Sequence, residues 1–145
     1  MNISRTADEA KIRALIDARL NALRSKNASG VVSHQAENFV QFSLAPPLIA
    51  TDGNARGFAA WFSTWQGPIG CKTRDLDLIV GDDAAFSYSL NHMTGTKTDG
   101  QKVDFWFRQT LCFRKIDGAW TIAHEHESVP FHMDGSFRAA VDLRP

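Results

Sequence analysis

Apolar residues recur first at helical spacing and later at strand spacing. Ile12, Leu15, Ile16, Leu20 and Leu23 follow one another mostly at three- and four-residue steps, with Lys11, Arg13, Asp17 and Arg24 on the other side. That period predicts one amphipathic helix over about 6–26 whose apolar stripe lies against a core. Thr6-Ala-Asp-Glu9 has the form of a capping box at its start. A short second helix is expected over 30–36. A strand over 38–44 follows, ended by Pro46-Pro47 because neither residue can donate to a ladder. Thr51-Asp-Gly-Asn54 is turn chemistry. Phe58, Ala59, Trp61, Phe62 and Trp65 then mark a second apolar helix face, which stops at Gly67-Pro68.

From Cys71 onward the pattern changes to strands. Asp99-Gly100 and Asp117-Gly118 sit between β-rich runs, and Gly81-Asp82-Asp83 marks a third turn. The reading is a meander of four long strands over 71–80, 84–97, 103–116 and 119–130. Helices first and a meander afterwards indicate an α+β fold in a single domain over 1–145.

If each Asp-Gly pair is the centre of a two-residue loop, the cross-strand partners are fixed. Phe113 then faces Ile122, Leu111 faces His124, Gln109 faces His126, and Phe107 faces Ser128. On the other side of the third strand, Phe86 faces Phe113, Tyr88 faces Leu111, Leu90 faces Gln109, and His92 faces Phe107. One face collects Phe86, Leu90, Phe105, Phe107, Leu111, Phe113, Trp120 and Ile122. The opposite face collects Ser87, Ser89, Asn91, Arg108, Thr110, Arg114, Thr121, Glu125 and Glu127, with Arg108 opposite Glu127 as an exposed ion pair. A β-bulge would break this pairing beyond the bulge.

Six polar residues fall on the apolar face in this register: Tyr88, His92, Gln109, His124, His126 and Ser128. A buried polar group left unpaired costs about 1–3 kcal/mol, so the six need partners, water or a ligand. They gather toward one end of the sheet while Phe86, Phe113 and Ile122 fill the other. A closed apolar end and an open polar end describe a ligand pocket.

Composition narrows the partners. Of 145 residues 43% are hydrophobic and 22% charged, in the globular range, and 16 basic residues balance 16 acidic ones. A protein that neutralises phosphates carries a basic excess, so nucleic acid is not an expected partner. No apolar run approaches ~18 residues and the N-terminus has no h-region, so no membrane segment or signal peptide is expected. Cys71 and Cys112 have no metal-ligand spacing and read as buried free thiols of a cytoplasmic protein. No glycine-rich strand–turn–helix fingerprint is present, and no cofactor or metal is expected.

The stretch from Arg108 to Pro130, with Trp120-Thr-Ile-Ala-His124-Glu-His126-Glu-Ser128 at its heart, resembles the C-terminal hairpin of SnoaL-like and ketosteroid-isomerase-like proteins of the nuclear-transport-factor-2-like superfamily. The order of elements agrees over nearly the whole chain. The resemblance implies a cone-shaped α+β barrel, a curved sheet wrapped around the helices and an apolar cavity, often in a homodimer. Members include isomerases, polyketide cyclases, dehydratases, epoxide hydrolases and subunits without chemistry, so fold alone does not give the reaction. The steroid isomerase roles are unfilled: Asn38–Ser43 holds no acid, the tyrosine donor would fall near Arg19, and Phe105–Ile116 holds no Asp or Glu. Paired acids around an arginine, the hydrolase pattern, find only Asp104 beside Arg108, and alternation puts both outside.

With the resemblance, which implies a homodimer, these residues lead to a small-molecule-pocket protein that, if an enzyme, is a cofactor-independent isomerase, cyclase or dehydratase acting on a compact apolar carbonyl or hydroxyl compound. His124 and His126 are the expected acid/base pair, since imidazole titrates near neutrality. Tyr88 is an additional donor, and His92, Gln109, Ser128, Trp65 and Phe107 are the expected ligand contacts. The alternative class is a non-catalytic ligand carrier or dimeric assembly domain using the same pocket.

Overall fold

The computed structural model describes residues 3–145. Helix α1 (Ile3–Arg24) and short helix α2 (Ala28–Val32) precede strand β1 (Gln35–Phe42) and helix α3 (Ala55–Phe62). Strands β2 (Trp65–Val80), β3 (Ala84–Lys97), β4 (Lys102–Ile116) and β5 (Ala119–Ser128) complete the regular structure of the described residues. The sheet order is β1-β5-β4-β3-β2, antiparallel except for β1, which runs parallel to β5. The helices cover one face of this curved, open sheet, which is the α+β architecture expected from the sequence.

Local chemistry sets most element ends. Asn27 and Asn54 cap α2 and α3 by accepting from the Gly30 and Gly57 N–H groups. α1 already runs from Ile3, so Thr6 lies inside it and the expected capping box does not form its start. Gly67-Pro68 does not halt a helix: α3 ends at Phe62, and the pair sits within β2, in an irregular stretch between the Gln66↔Thr96 and Gly70↔Thr94 pairings. β2 is the sheet's outer strand, where proline is tolerated because one of its edges has no ladder partner.

Two single-residue departures from the expected register decide which side chains face inward. Asp117-Gly118 is a two-residue turn with both residues at positive φ, and it pairs Ile116 with Ala119 as predicted. The β3–β4 turn is one residue longer. Gly100 N–H donates to the Lys97 carbonyl and Lys97 N–H to that of Gln101, closing a Thr98-Asp99-Gly100 loop with Gly100 at φ +89°. Phe113 therefore pairs with Ala85 rather than Phe86, and all of β3 is turned over. Ala85, Ser87, Ser89, Asn91 and Met93 are buried, whereas Phe86 and Tyr88 lie on the exposed outer face. The second departure is a bulge at Ala123. Ile122 pairs with Phe113, but His124 pairs with Cys112, and the remainder of β5 is inverted as well.

Two apolar clusters hold the helices to the sheet. Ile12, Leu15 and Ile16 pack with Phe39, Leu111, Phe113, Trp120 and Ile122. Val31, Phe62, Trp65, Ile69, Met93 and Phe107 form the second. Each such side chain contributes about 1.5–3 kcal/mol by leaving water. After β5 the chain makes a small loop closed by the Phe131↔Ala139 bridge. Arg144 then reaches the outer face at Asp104, 2.7 Å away. Phe131, Met133 and Phe137 of this tail remain exposed. Among the described residues no helix is long and apolar enough to cross a membrane.

Candidate functional site

The two clusters do not close on one another. Between them lies a cavity of about 580 Å³, lined by members of both, within the range of small-molecule sites. Its walls are Leu20 and Leu23 of α1, Phe58 and Trp61 of α3, Trp65 and Cys71 of β2, Met93 of β3 and Val103, Phe105 and Phe107 of β4. The segment from Ser43 to Asn54 borders it. That segment is pinned to β1 by a reciprocal pair of backbone hydrogen bonds between Gln41 and Ala50, at 2.8 and 2.9 Å.

The floor is polar. Arg19 lies seven residues after Ile12 and three after Ile16, within the apolar stripe of α1, and its side chain is only 8% exposed. It meets Glu125, 1% exposed, which the bulge at Ala123 has turned inward. Arg19 Nη1 donates to Glu125 Oε2 at 2.6 Å, Gln109 Nε2 to the same oxygen at 3.0 Å, and Gln41 Nε2 to Oε1 at 2.5 Å. A buried ion pair holds together when its remaining lone pairs are satisfied in this way. Behind Gln109, Asn91 donates to Ser89 and accepts from Thr73, so these two inward polar side chains of β3 are partnered as well.

Glu127 follows Glu125 on the same face and also lines the cavity. Burial, and then the charge of Glu125, raise the Glu127 carboxyl well above the ordinary glutamic acid value of 4.5. Burial alone would raise Glu125 too, but the adjoining Arg19 guanidinium and its hydrogen-bond donors bring it below that value. These opposite shifts favour the proton on Glu127 and the negative charge on Glu125, beside the one guanidinium. Burial likewise pushes the Cys71 thiol up to about 11, which leaves it a poor nucleophile.

At another part of the lining stands Lys97. Its Nζ lies 4.0 Å from the Trp65 ring centre and 5.5 Å from that of Trp61, and donates to Thr64 Oγ1 at 2.9 Å. Trp65 can sit there because Gly95 has no side chain. A Cβ on Gly95 would come within 2.7 Å of the indole ring.

Of the residues singled out from sequence, Gln109, Phe107 and Trp65 line the cavity. The other five stand on the sheet's outer face, as the two register changes require. His124 donates its Nδ1 proton to the Val40 carbonyl at 2.6 Å and packs edge-on against Phe42. His126 is exposed, its ring 5.3 Å from Phe42. The Tyr88 hydroxyl donates to Asp77 at 2.7 Å. His92 is stacked on Trp106 and sits 2.6 Å from Asp104. Ser128 accepts from Arg108 Nε at 3.0 Å, so the expected Arg108–Glu127 pair is replaced. Two acids do share the interior with an arginine: Glu125 and Glu127, beside Arg19. Among the described residues no three His, Cys, Asp or Glu side chains are grouped to hold a metal ion.

A family model described as a SnoaL-like domain matches residues 12–132. An NTF2-like protein of unknown function from Pseudomonas putida is 27% identical, aligned over 97% of this chain and 98% of its own, with a TM-score of 0.86. A ketosteroid isomerase-like protein from Erwinia carotovora is similar over 88% of this chain and 97% of its own at 21% identity and a TM-score of 0.70. The association domain of C. elegans CaMKII covers 88% and 99% at 16% identity, with a TM-score of 0.67. The last two likenesses are of fold alone. No curated protein sequence matches.

Proposed function

The chain belongs to the SnoaL-like family, and from that premise we propose that its cavity takes an apolar small molecule bearing a carbonyl or hydroxyl and moves a proton on it without a cofactor. The observation that supports this is the inward pair of Glu125 and Glu127 on Arg19, at the floor of an otherwise apolar cavity. Glu125 accepts from three side chains besides its neighbour and has no free lone pair to act as a base. It positions Glu127. Glu127 is the acting group: a carboxylic acid held neutral by its surroundings can protonate a ligand oxygen. For a ketone, the resulting carboxylate then takes the proton from the neighbouring carbon, giving the enol and restoring the acid. For an alcohol, the protonated hydroxyl leaves as water and the same carboxylate takes the adjacent C–H proton. The acid/base part expected of His124 and His126, with Tyr88 as additional donor, passes to Glu127, because the inverted strands turn those side chains away from the cavity.

The test is deuterium uptake. Incubated in D2O with a panel of cyclic and long-chain ketones, the wild-type protein should exchange α-hydrogens visible by NMR. Glu127→Gln should slow this at least about a hundredfold, the usual scale for one general acid/base group. Exchange at the wild-type rate in Glu127→Gln would sink the proposal. Ligand binding with no exchange on any panel member would leave the non-catalytic carrier.

A second copy of the chain fits the sheet's outer face. Phe86 and Tyr88 are 44% and 49% exposed there, and Ile79, paired with Phe86, lies on the same side. Exposed apolar groups gathered on one face favour burial against another subunit. Sedimentation equilibrium should give twice the 16.1 kDa chain mass, and Phe86→Asp should shift it to the monomer. A wild-type monomer at tens of micromolar would overturn the assembly.

A further inference from the structure

The geometry points to Lys97 as a specificity-determining residue that takes a carboxylate at the end of the cavity away from Glu127, making the ligand an extended amphiphile with a neutral oxygen at one end and an anion at the other. The inference rests on the cavity being a small-molecule site, and it replaces a compact ligand by a long one.

The cations near the cavity are not equivalent. Arg19 is committed to Glu125, Arg24 donates to the Cys71 carbonyl, and Lys26 donates to the Trp65 carbonyl. Lys97 has only the Thr64 hydroxyl and two indole faces, and among the described residues no carboxylate forms an ion pair with it. Asp52, the other charged residue of the lining outside the floor, makes no ion pair with it either. An ammonium partly withdrawn from water and resting on indole rings still has donors to spare. Burial lowers its pKa, opposed by Asp99, in keeping with that withdrawal.

Register gives the length. Glu127 pairs with Gln109, and Gln109 with Ser89, so the polar floor is level with Ser89 on β3. Lys97 is eight residues farther along that strand. At about 3.3 Å per residue this is roughly 26 Å of strand. The reach of the two side chains shortens the gap they leave to a body on the order of 15 Å. Phe105, Phe107, Met93 and Val103 line the interval, and none of them offers a polar group to a ligand chain passing over them.

Quenching of tryptophan fluorescence reports binding directly, since Trp61 and Trp65 stand beside Lys97. The probes are ω-hydroxy fatty acids of eight to fourteen carbons and their methyl esters. Wild type should bind a member near twelve carbons at least about tenfold tighter as the acid than as the ester, the usual scale for a charge-assisted hydrogen bond. Lys97→Met should erase that preference, and an unchanged far-UV circular dichroism spectrum and cooperative melting certify that the variant is folded. Equal binding of acid and ester by wild type, or a preference that survives in Lys97→Met, overturns the assignment of Lys97 and leaves the cavity's reading intact. If no member of either series binds, the ligand class itself is overturned, and the deuterium exchange assay judges the cavity's chemistry separately.

Discussion

Replacing Arg19 by methionine is expected to destabilise the fold by about 3–5 kcal/mol, the cost of stranding one member of a buried ion pair. Domains of this size are stable by about 5–15 kcal/mol, so the variant stands near the edge of folding. The reason is Glu125. Its side chain is 1% exposed and its carboxylate oxygen lies 2.6 Å from the guanidinium. Gln41 and Gln109 still donate to it in the variant, but neither neutralises it. The double variant Arg19→Met/Glu125→Gln should recover most of the loss, because the charge that needed Arg19 is gone. Urea denaturation of the three proteins at neutral pH measures both steps. A single variant within about 1 kcal/mol of wild type would mean that Glu125 is relieved by water or a proton, contrary to its burial.

Glu127 gives the second large effect, one that depends on pH. Its folded value is raised well above 4.5, so above pH ~4.5 the native state keeps a proton that the unfolded chain has released. Native protein then binds more protons than unfolded, and stability falls as pH rises, by up to about 1.4 kcal/mol per unit. The fall levels off once pH exceeds the raised value. Glu125 has the opposite sign: its contribution is present above its unfolded value and is lost as pH falls through its lowered folded value. The two windows do not overlap. Glu127→Gln should therefore match wild type's pH response near pH 4.5 and gain on it as pH rises above that value. Denaturation curves at three pH values measure that difference, and one that stays flat would show Glu127 ionising as it does in water.

Much of the architecture was legible in the chain. The change from three- and four-residue steps to strands at Cys71, and the Asp-Gly pairs, located four long strands and the helices before them. What remained hidden was arithmetic of single residues. Asp99-Gly100 can centre a two-residue turn or close a three-residue one with glycine in the left-handed position, and composition does not separate the two. Ala123 has no mark that sets it apart as a bulge. One signal was available. Arg19 falls on the apolar stripe of its helix, and a buried guanidinium demands a buried carboxylate. With no acid between Phe105 and Ile116, the alternation of Glu125 and Glu127 in the last strand was the place to find it. Phe107 and Gln109 were found because β4 has the same inward face in either register.

The turn at Thr98–Gly100 and the bulge at Ala123 make the cavity's character a matter of parity. Each shifts the pairing by one residue, and an odd shift exchanges the two sides of the strand it acts on: β3 for the turn, the end of β5 for the bulge. Without the extra residue at Ala123, His124 and His126 would line the interior and the glutamates would meet solvent, with no side chain altered. The last strand thus carries two alternative linings, one of imidazoles and one of carboxyls, woven through each other. A one-residue deletion is enough to exchange them, so chains of this fold can differ in interior chemistry while their aligned residues agree.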